Sequence, residues 1–596
     1  MDLELEKRIN ETIEHIKRIS PNDYPEVLAD PVAKMMLVAL LHESQKITDY
    51  IDGLGDKIVE RFCDNFIPRD KVDALPAISV VEARFKPKKD TGTINIGGGV
   101  SFQYKYGDNR QYLNFLPIFS TVAIPYNDIY VLTKNRMSSK NSDMSIMMDR
   151  SNIIWLGINS QVEVESLRGF TVAIKGVGNV SPVRISTGND ERELEFADIS
   201  RMDSMDMAEP FDSQQTSMKF LSMVENWKDS ISNINDISIL SITDKLVERD
   251  IFKPRAFPRQ FQQWLESETL DCFKSDTIWL KLEYPADFIV PDDCQIIVNA
   301  VPVTNVDVNS LTLTQTSPIA KLQKQENSYF LQVVETSNSA YKQGFSMQSD
   351  EYIIRDFDAS CYHNGNLYRD IRNIYNHFID DYYAFLEYNG IKDGETIKQL
   401  RELLNRIGKS VGTQNSKYSF DSGTYVMKKM DKSQNSISTK VSYISTMGKL
   451  GNSILEGSNV ENRKLPALEK DLPVILSGRG GVDKATADEK YELLRYYTLT
   501  DDRLFTKKDI EAFIRKEVIR LFGKDEFKRI NIKMEIHGAA GEKRLLKGLY
   551  ISLEYRDKKN YEKAIANSFK SKLYQQILNK SCISMPIVID FINLES

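Results

Sequence analysis

Histidine and cysteine are scarce in this 596-residue chain, at five of each, and the scarcity excludes several chemistries at once. His15, His42, His363, His377 and His537 show no finger, ribbon or His-Glu-x-x-His spacing. The nearest approach, Cys361-Tyr362-His363 with His377, reads as a surface turn followed by a helix position. Cys63, Cys272, Cys294, Cys361 and Cys582 are far apart and odd in number, which fits reduced, mostly buried thiols better than a disulfide framework. Long apolar runs are missing too: no stretch reaches the ~18 residues a membrane helix needs. The charged, amphipathic start, Met1 to Arg8, lacks the apolar core and cleavage site of a secretory signal. A cytoplasmic protein without membrane insertion is expected. There is also no concentrated basic face, because 78 basic side chains are scattered among 85 acidic ones for a net charge of -7. Phosphate backbones need such a face, so no nucleic-acid partner is expected.

Catalytic signatures are equally thin. Gly408-Lys409-Ser410 has the ending of a phosphate-cradling loop, but its opening glycine is replaced by Leu403 within helical periodicity, and a glycine-ended helix explains it. Gly478-Arg479-Gly480-Gly481 lacks a Lys-Ser/Thr pair and a dinucleotide spacing, and reads as a loop. No Gly-x-Ser-x-Gly elbow occurs. Asp292-Asp293 and Asp380-Asp381 read as turns or solvated faces, since a working acid needs an environment that shifts its pKa. No catalytic, cofactor-binding or metal residue is assigned, no cofactor is expected, and the chain is not expected to be an enzyme; a cytoplasmic hydrolase with an unfamiliar site is the alternative from another class.

What is present is pattern. Asp30-Pro31 places a carboxylate at N-cap and a proline at N1. From there Leu37, Leu40, Leu41, Ile47, Ile51, Leu54, Ile58, Phe62 and Phe66 keep helical spacing to Pro68. So narrow a stripe on so long a rod wants helical partners, and Ile47, Ile51, Leu54 and Ile58 are the candidate interface, with ordinary core packing the plainer reading of the stripe. After Pro76 the texture becomes β-branched, with short strands predicted at Ile78 to Phe85, Ile153 to Ile158, Trp279 to Tyr284 and Ile296 to Val303. Ser138 to Asp149 and Met202 to Phe211 mix Met with Ser and Asp and are expected as loops. Residues 366–407 show two helical stripes. In the last hundred residues Thr506 and Asp509 cap a helix through Leu521, and strands and a further helix follow. The expected fold class is α+β and multidomain: an N-terminal long-helix bundle over 1–75, β-rich middle domains over 76–310, a mixed region ending in a helical pair over 311–407, a flexible or partner-ordered segment over 408–485, and a small C-terminal α+β domain over 486–596.

Two stretches resemble the TssF family. One runs from Asp30-Pro31 through the long helix to Phe66-Ile67-Pro68, then Leu75-Pro76-Ala77-Ile78-Ser79-Val80-Val81 to Phe85-Lys86-Pro87. The other, Asn299-Ala300-Val301-Pro302-Val303-Thr304-Asn305, is similar to the family's Asn-Cys-Val-Pro-x-x-Asn segment, with Ala300 where cysteine is usual. Gly92-Thr93, and Gly478-Arg479 followed by Leu499 to Ile510, also resemble baseplate patterns. Asn299, Val301, Pro302 and Asn305 are thus the family-like structural motif. The resemblance implies a divergent wedge subunit of a type VI secretion baseplate, docked at the inner membrane. Its implied partners are TssG, TssK, TssE, the spike hub VgrG and a second copy of itself. Residues 486–596 would then make wedge-to-wedge contact. A wedge of a phage or of an extracellular contractile injection system is the nearest alternative.

Overall fold

A computed structural model of the chain describes residues 66–357 and 423–593, apart from short gaps, together with Arg18 and isolated positions between 376 and 406. The expected N-terminal bundle lies outside the described residues, as do Ile47, Ile51, Leu54 and Ile58 and all but isolated positions of the helical pair. The chain divides into two compact units: Asp70–Ile354 with Tyr425–Ala485, and Met1–Arg69, Arg355–Thr424 and Thr486–Ser596. Strands dominate the described residues, and helices are few.

The first unit is built on a closed six-stranded barrel. Its strands are β1 (Ile78–Glu82), β2 (Phe102–Tyr106), β3 (Gln111–Pro117), β4 (Ala300–Thr304), β5 (Asn459–Asn462) and β6 (Asp471–Arg479), in the order β1-β4-β3-β2-β5-β6. Every neighbouring pair is antiparallel. Val81, Phe102, Phe115, Val301, Val303, Val460, Leu472 and Val474 fill the interior. Ile78 and Val80 point the other way, into a core shared with helix α1 (Met218–Ser232). β1 is therefore buried on both faces, which is why its sequence is a run of small and β-branched residues without polar alternation. α1 presents Phe220, Met223, Val224, Trp227 and Ile231, all buried, at helical spacing. Burial of each such side chain contributes about 1.5–3 kcal/mol.

Beside the barrel, in the same unit, a four-stranded and a seven-stranded sheet enclose a second core. Ile154, Leu156 and Ile158 from one meet Val172, Ile174, Leu240 and Val298 from the other. The strand Ile153–Ser160 is buried along its whole length, because its opposite face packs Trp155 against Phe261. A further sheet carries Asp307–Leu313, Thr439–Thr446 and Tyr329–Asn338.

One expectation is corrected. The segment 408–485, expected to be flexible or ordered by a partner, supplies over residues 438–485 the strand Thr439–Thr446, the 3-10 turn Gly448–Ser453, β5 and β6. From Tyr425 on the segment belongs to the same unit as the β-rich middle, and β6 pairs with β1 and closes the barrel. Its Gly, Ser and Asn content reflects backbone packed against backbone. The Met-rich stretches, expected as loops, hold the short strand Asp143–Ser145 and are otherwise largely irregular over their described residues, and they feed cores. Met205, Met207 and Phe211 lie with α1, and Met148 lies with the aromatic cluster around Trp155 and Trp279.

In the second unit, α2 (Ala487–Thr500), α3 (Lys507–Phe522) and α4 (Phe569–Lys580) accompany the sheet β7 (Phe527–Gly538), β8 (Leu545–Tyr555) and β9 (Ile587–Asn593). β7 and β8 are antiparallel; β8 and β9 are parallel, the connection that needs a crossover and has α4 in it. Thr506 and Asp509 form the capping box: the Thr506 amide donates to the Asp509 carboxylate at 2.8 Å, and the Asp509 amide to the Thr506 hydroxyl at 3.2 Å. Ile510, Phe513, Ile514 and Val518 then meet Leu549, Ile551, Leu553, Leu573 and Ile577 in one core.

Candidate functional site

The family-like residues converge on the barrel. Asn299 immediately precedes β4 and is fully buried at φ 54, in the left-handed region that asparagine tolerates better than most residues. Its Oδ1 accepts the Ile124 amide at 2.9 Å, and its Nδ2 donates to the Ile124 carbonyl at 2.9 Å. Its own carbonyl accepts the Ala83 amide at 3.0 Å. The side chain therefore completes both backbone groups of Ile124, where the chain leaves the strand Thr121–Ala123.

At the far end of β4, Asn305 does the same for a different junction. Its amide donates to the Ala77 carbonyl at 2.8 Å, Nδ2 to the Asn114 carbonyl at 2.9 Å, and Oδ1 accepts the Met447 amide at 3.1 Å. The Thr304 hydroxyl adds a bond to the Ala77 carbonyl at 2.9 Å. Between the two asparagines Val301 faces the barrel interior, and Pro302 stands opposite Val80. Pro302 offers no N–H, and the Ile118 carbonyl that would have met one accepts the Ala208 amide at 2.9 Å instead, while the Ile118 amide donates to the Pro302 carbonyl at 3.0 Å. A proline inside a sheet is tolerated because its missing bond is replaced from outside the ladder.

The Gly478-Arg479-Gly480-Gly481 run closes the same region. A Cβ on Gly451 would stand 2.8 Å from that of Ala77 and 2.9 Å from that of Asn305, and Gly478 runs directly against the Gly451 carbonyl. α1 is fastened here: Asn226 donates to the Gly480 carbonyl at 2.7 Å, and the Trp227 indole to the Pro76 carbonyl at 3.3 Å. The sequence reading missed α1, although Phe220, Met223, Val224, Trp227 and Ile231 carry its 3.6-residue period.

This constellation is a clasp made of amides and carbonyls, with its hydrogen-bonding capacity directed at the chain itself. Titratable groups elsewhere in the unit with shifted pKa values keep their ordinary forms at neutral pH. Tyr126, bonded to Glu82, is pushed up to about 12 by burial and then by the Glu82 charge. Burial, then Asp293 and Asp292, pushes the Cys294 thiol up to about 11. Asp292, read as a turn residue, accepts Asn135 Nδ2 at 2.8 Å and the Thr133 hydroxyl at 2.9 Å, and bonds from Asn135 foremost hold its carboxyl below the usual range. Among the described residues no group of three or more His, Cys, Asp or Glu lies close enough to hold a metal ion. Among them, too, no helix is long and apolar enough to cross a membrane.

No protein-family model matches the chain, and no curated protein matches it. Two solved structures are similar to it at 10% identity. One is a TssK-TssF-TssG baseplate subcomplex of a type VI secretion system, covering 94% of this chain and 96% of the other with a TM-score of 0.39. The other is a baseplate complex from a type VI secretion system, covering 93% and 89% with a TM-score of 0.32.

Within the clasp, three stretches that carry the family resemblance stand side by side. β4, which holds Val301 and Pro302, pairs with β1 from Ile78↔Thr304 to Glu82↔Ala300, and β1 pairs on its other edge with β6, where Ile78 faces Arg479.

Proposed function

We propose that this chain is a structural wedge subunit of a type VI secretion baseplate, similar to TssF, and not an enzyme. In this reading it assembles in the cytoplasm with TssG, TssK and TssE around the VgrG spike hub, beside a second copy of itself. It passes on the rearrangement that triggers sheath contraction, so interfaces with two arrangements take the place of an active site. One observation supports the reading most: Leu75 to Phe85, Asn299 to Asn305 and Gly478-Arg479, remote in sequence, form adjacent strands β4, β1 and β6. Chance matches have no reason to be neighbours; a shared structural element does.

The test is an affinity pull-down of the tagged full chain with mass spectrometry. Recovery of TssG and TssK is the expected result. A monomer that binds neither and turns over a small molecule refutes the proposal, and gene neighbours separate it from a phage or extracellular wedge. Two finer parts have their own tests. The stripe Ile47, Ile51, Leu54 and Ile58 is assigned to a bundle with TssG or a second copy, so an Ile51→Asp, Leu54→Asp double variant that is folded and still co-purifies with TssG removes that assignment. Residues 486–596 are assigned to wedge-to-wedge contact; intact rings from a chain lacking them count against it.

A further inference from the structure

The second unit holds another polar joint. Between α2 and α3, Asp502 sits at φ 60, a strained conformation for a residue with a Cβ. Its Oδ1 accepts two donors: the Tyr496 hydroxyl of α2 at 2.8 Å and the Lys580 ammonium at the end of α4 at 2.6 Å. Its amide donates to the Thr500 hydroxyl at 3.2 Å. A single carboxylate oxygen thus ties the last turn of α2 to the last residue of α4.

Next to it, the buried Lys516 ammonium of α3 lies 3.1 Å from Glu517 and 4.4 Å and 4.8 Å from the ring centroids of Tyr496 and Phe513. On the same elements Glu492 Oε2 on α2, Arg515 Nε on α3 and Ser581 Oγ after α4 are buried with no hydrogen-bond partner among the described residues, Glu492 Oε2 keeping only an ion pair with Arg495 at 3.9 Å. Such a partly satisfied network is weak for its burial. α2 buries Leu493 and Tyr496, with Tyr497 packed against the core, whereas α3, α4 and the sheet supply the rest. Most of the core's apolar side chains belong to elements other than α2.

We propose that Asp502 is the catch of a latch: engaged, it holds α2 against α3 and α4, and its disengagement frees α2 from a unit whose sheet and other helices stay folded. Low local stability is what an element that moves requires. The latch does not depend on the secretion reading, and a failed pull-down leaves it standing. Burial would push the Asp502 carboxyl up, but bonds from Lys580 and Tyr496 outweigh it and hold it below the usual range, so the catch is charged at neutral pH.

Amide hydrogen exchange on the full chain tests this. Asp502→Asn keeps a residue tolerant of positive φ and removes the charge; Tyr496→Phe removes the hydroxyl and keeps the ring over Lys516. Each should speed exchange in α2 by about tenfold, the scale of a lost hydrogen bond to a charged group. Protection of Ile510 to Phe522 and of Leu549 to Leu553 should be unchanged. Unaltered α2 in both variants, or equal loss across α2, α3 and the sheet, overturns the latch. If Asp502→Asn does not fold, Tyr496→Phe alone decides in the same way.

Discussion

Replacing Asn299 by alanine should be among the most damaging single changes in the first unit. The substitution strands the Ile124 amide and carbonyl, both now bonded at 2.9 Å in a fully buried setting. Each buried, unpaired backbone group costs about 1–3 kcal/mol. Alanine at φ 54 adds about 1 kcal/mol that glycine avoids. Asn299→Ala is therefore expected to lose about 3–7 kcal/mol, and Asn299→Gly about 1 kcal/mol less. Asn299→Asp keeps an acceptor for Ile124 N–H but turns a buried charge toward the Ile124 carbonyl, and should do no better than alanine. The assay is selective by construction: all four tryptophans, Trp155, Trp227, Trp264 and Trp279, belong to the unit Asp70–Ile354 with Tyr425–Ala485. Urea unfolding followed by tryptophan emission reports that unit alone. Alanine and glycine variants both within about 1 kcal/mol of the parent, or a glycine variant worse than alanine, would refute the account of the clasp.

Three further outcomes are expected. Gly157→Ala puts a Cβ 2.7 Å from two ring carbons of Trp279, so it should cost about 1–3 kcal/mol by overpacking and shift the emission maximum; an unshifted spectrum contradicts the packing. Gly478→Ala drives β6 off the Gly451 carbonyl and should destabilise the barrel by a similar ~1–3 kcal/mol in the same urea assay, an effect absent if that approach is loose. Asp509→Ala removes the α3 cap and should cost the second unit about 1 kcal/mol, read by its thermal melt in circular dichroism. The cap also carries a pH signature. Burial pulls the Asp509 carboxyl up, but bonds from Thr506 and Phe505 prevail and leave it below the usual range. A depressed folded pKa stabilises above the unfolded value of about 3.9 and is lost as pH falls through the folded one, so the parent should weaken below about pH 4 more steeply than Asp509→Asn.

Local patterns made much of the β-rich unit readable. Ile78 to Val81, Ile153 to Ile158 and Trp279 to Tyr284 announce strands because β-branched and aromatic side chains pack well on a pleated, buried surface. Thr506 and Asp509 announce the start of α3 because a capping box is completed within four residues. Asn299 and Asn305 could be singled out as a motif, but their partners, Ile124, Ala83, Asn114 and Met447, are remote in sequence, and nothing local names them. The glycines and serines of 438–485 were legible only as flexible, because low side-chain volume looks the same whether the backbone faces water or another backbone. The burial of the methionines at 205 and 207 was not legible either, because it depends on α1 lying across them.

By itself, then, the amino-acid order determined which short segments extend, which coil and where one helix begins, since those choices are settled by neighbours within a few residues. Closure of the barrel by β5 and β6, the seating of α1 on Gly480, and the use of Asn299 as a bridge between segments were decided only in three dimensions. The reason is entropic as much as chemical. Contacts between residues hundreds of positions apart exist only once the chain has met the cost of bringing them together, and a sum over the whole fold, not any local preference, determines which of them form.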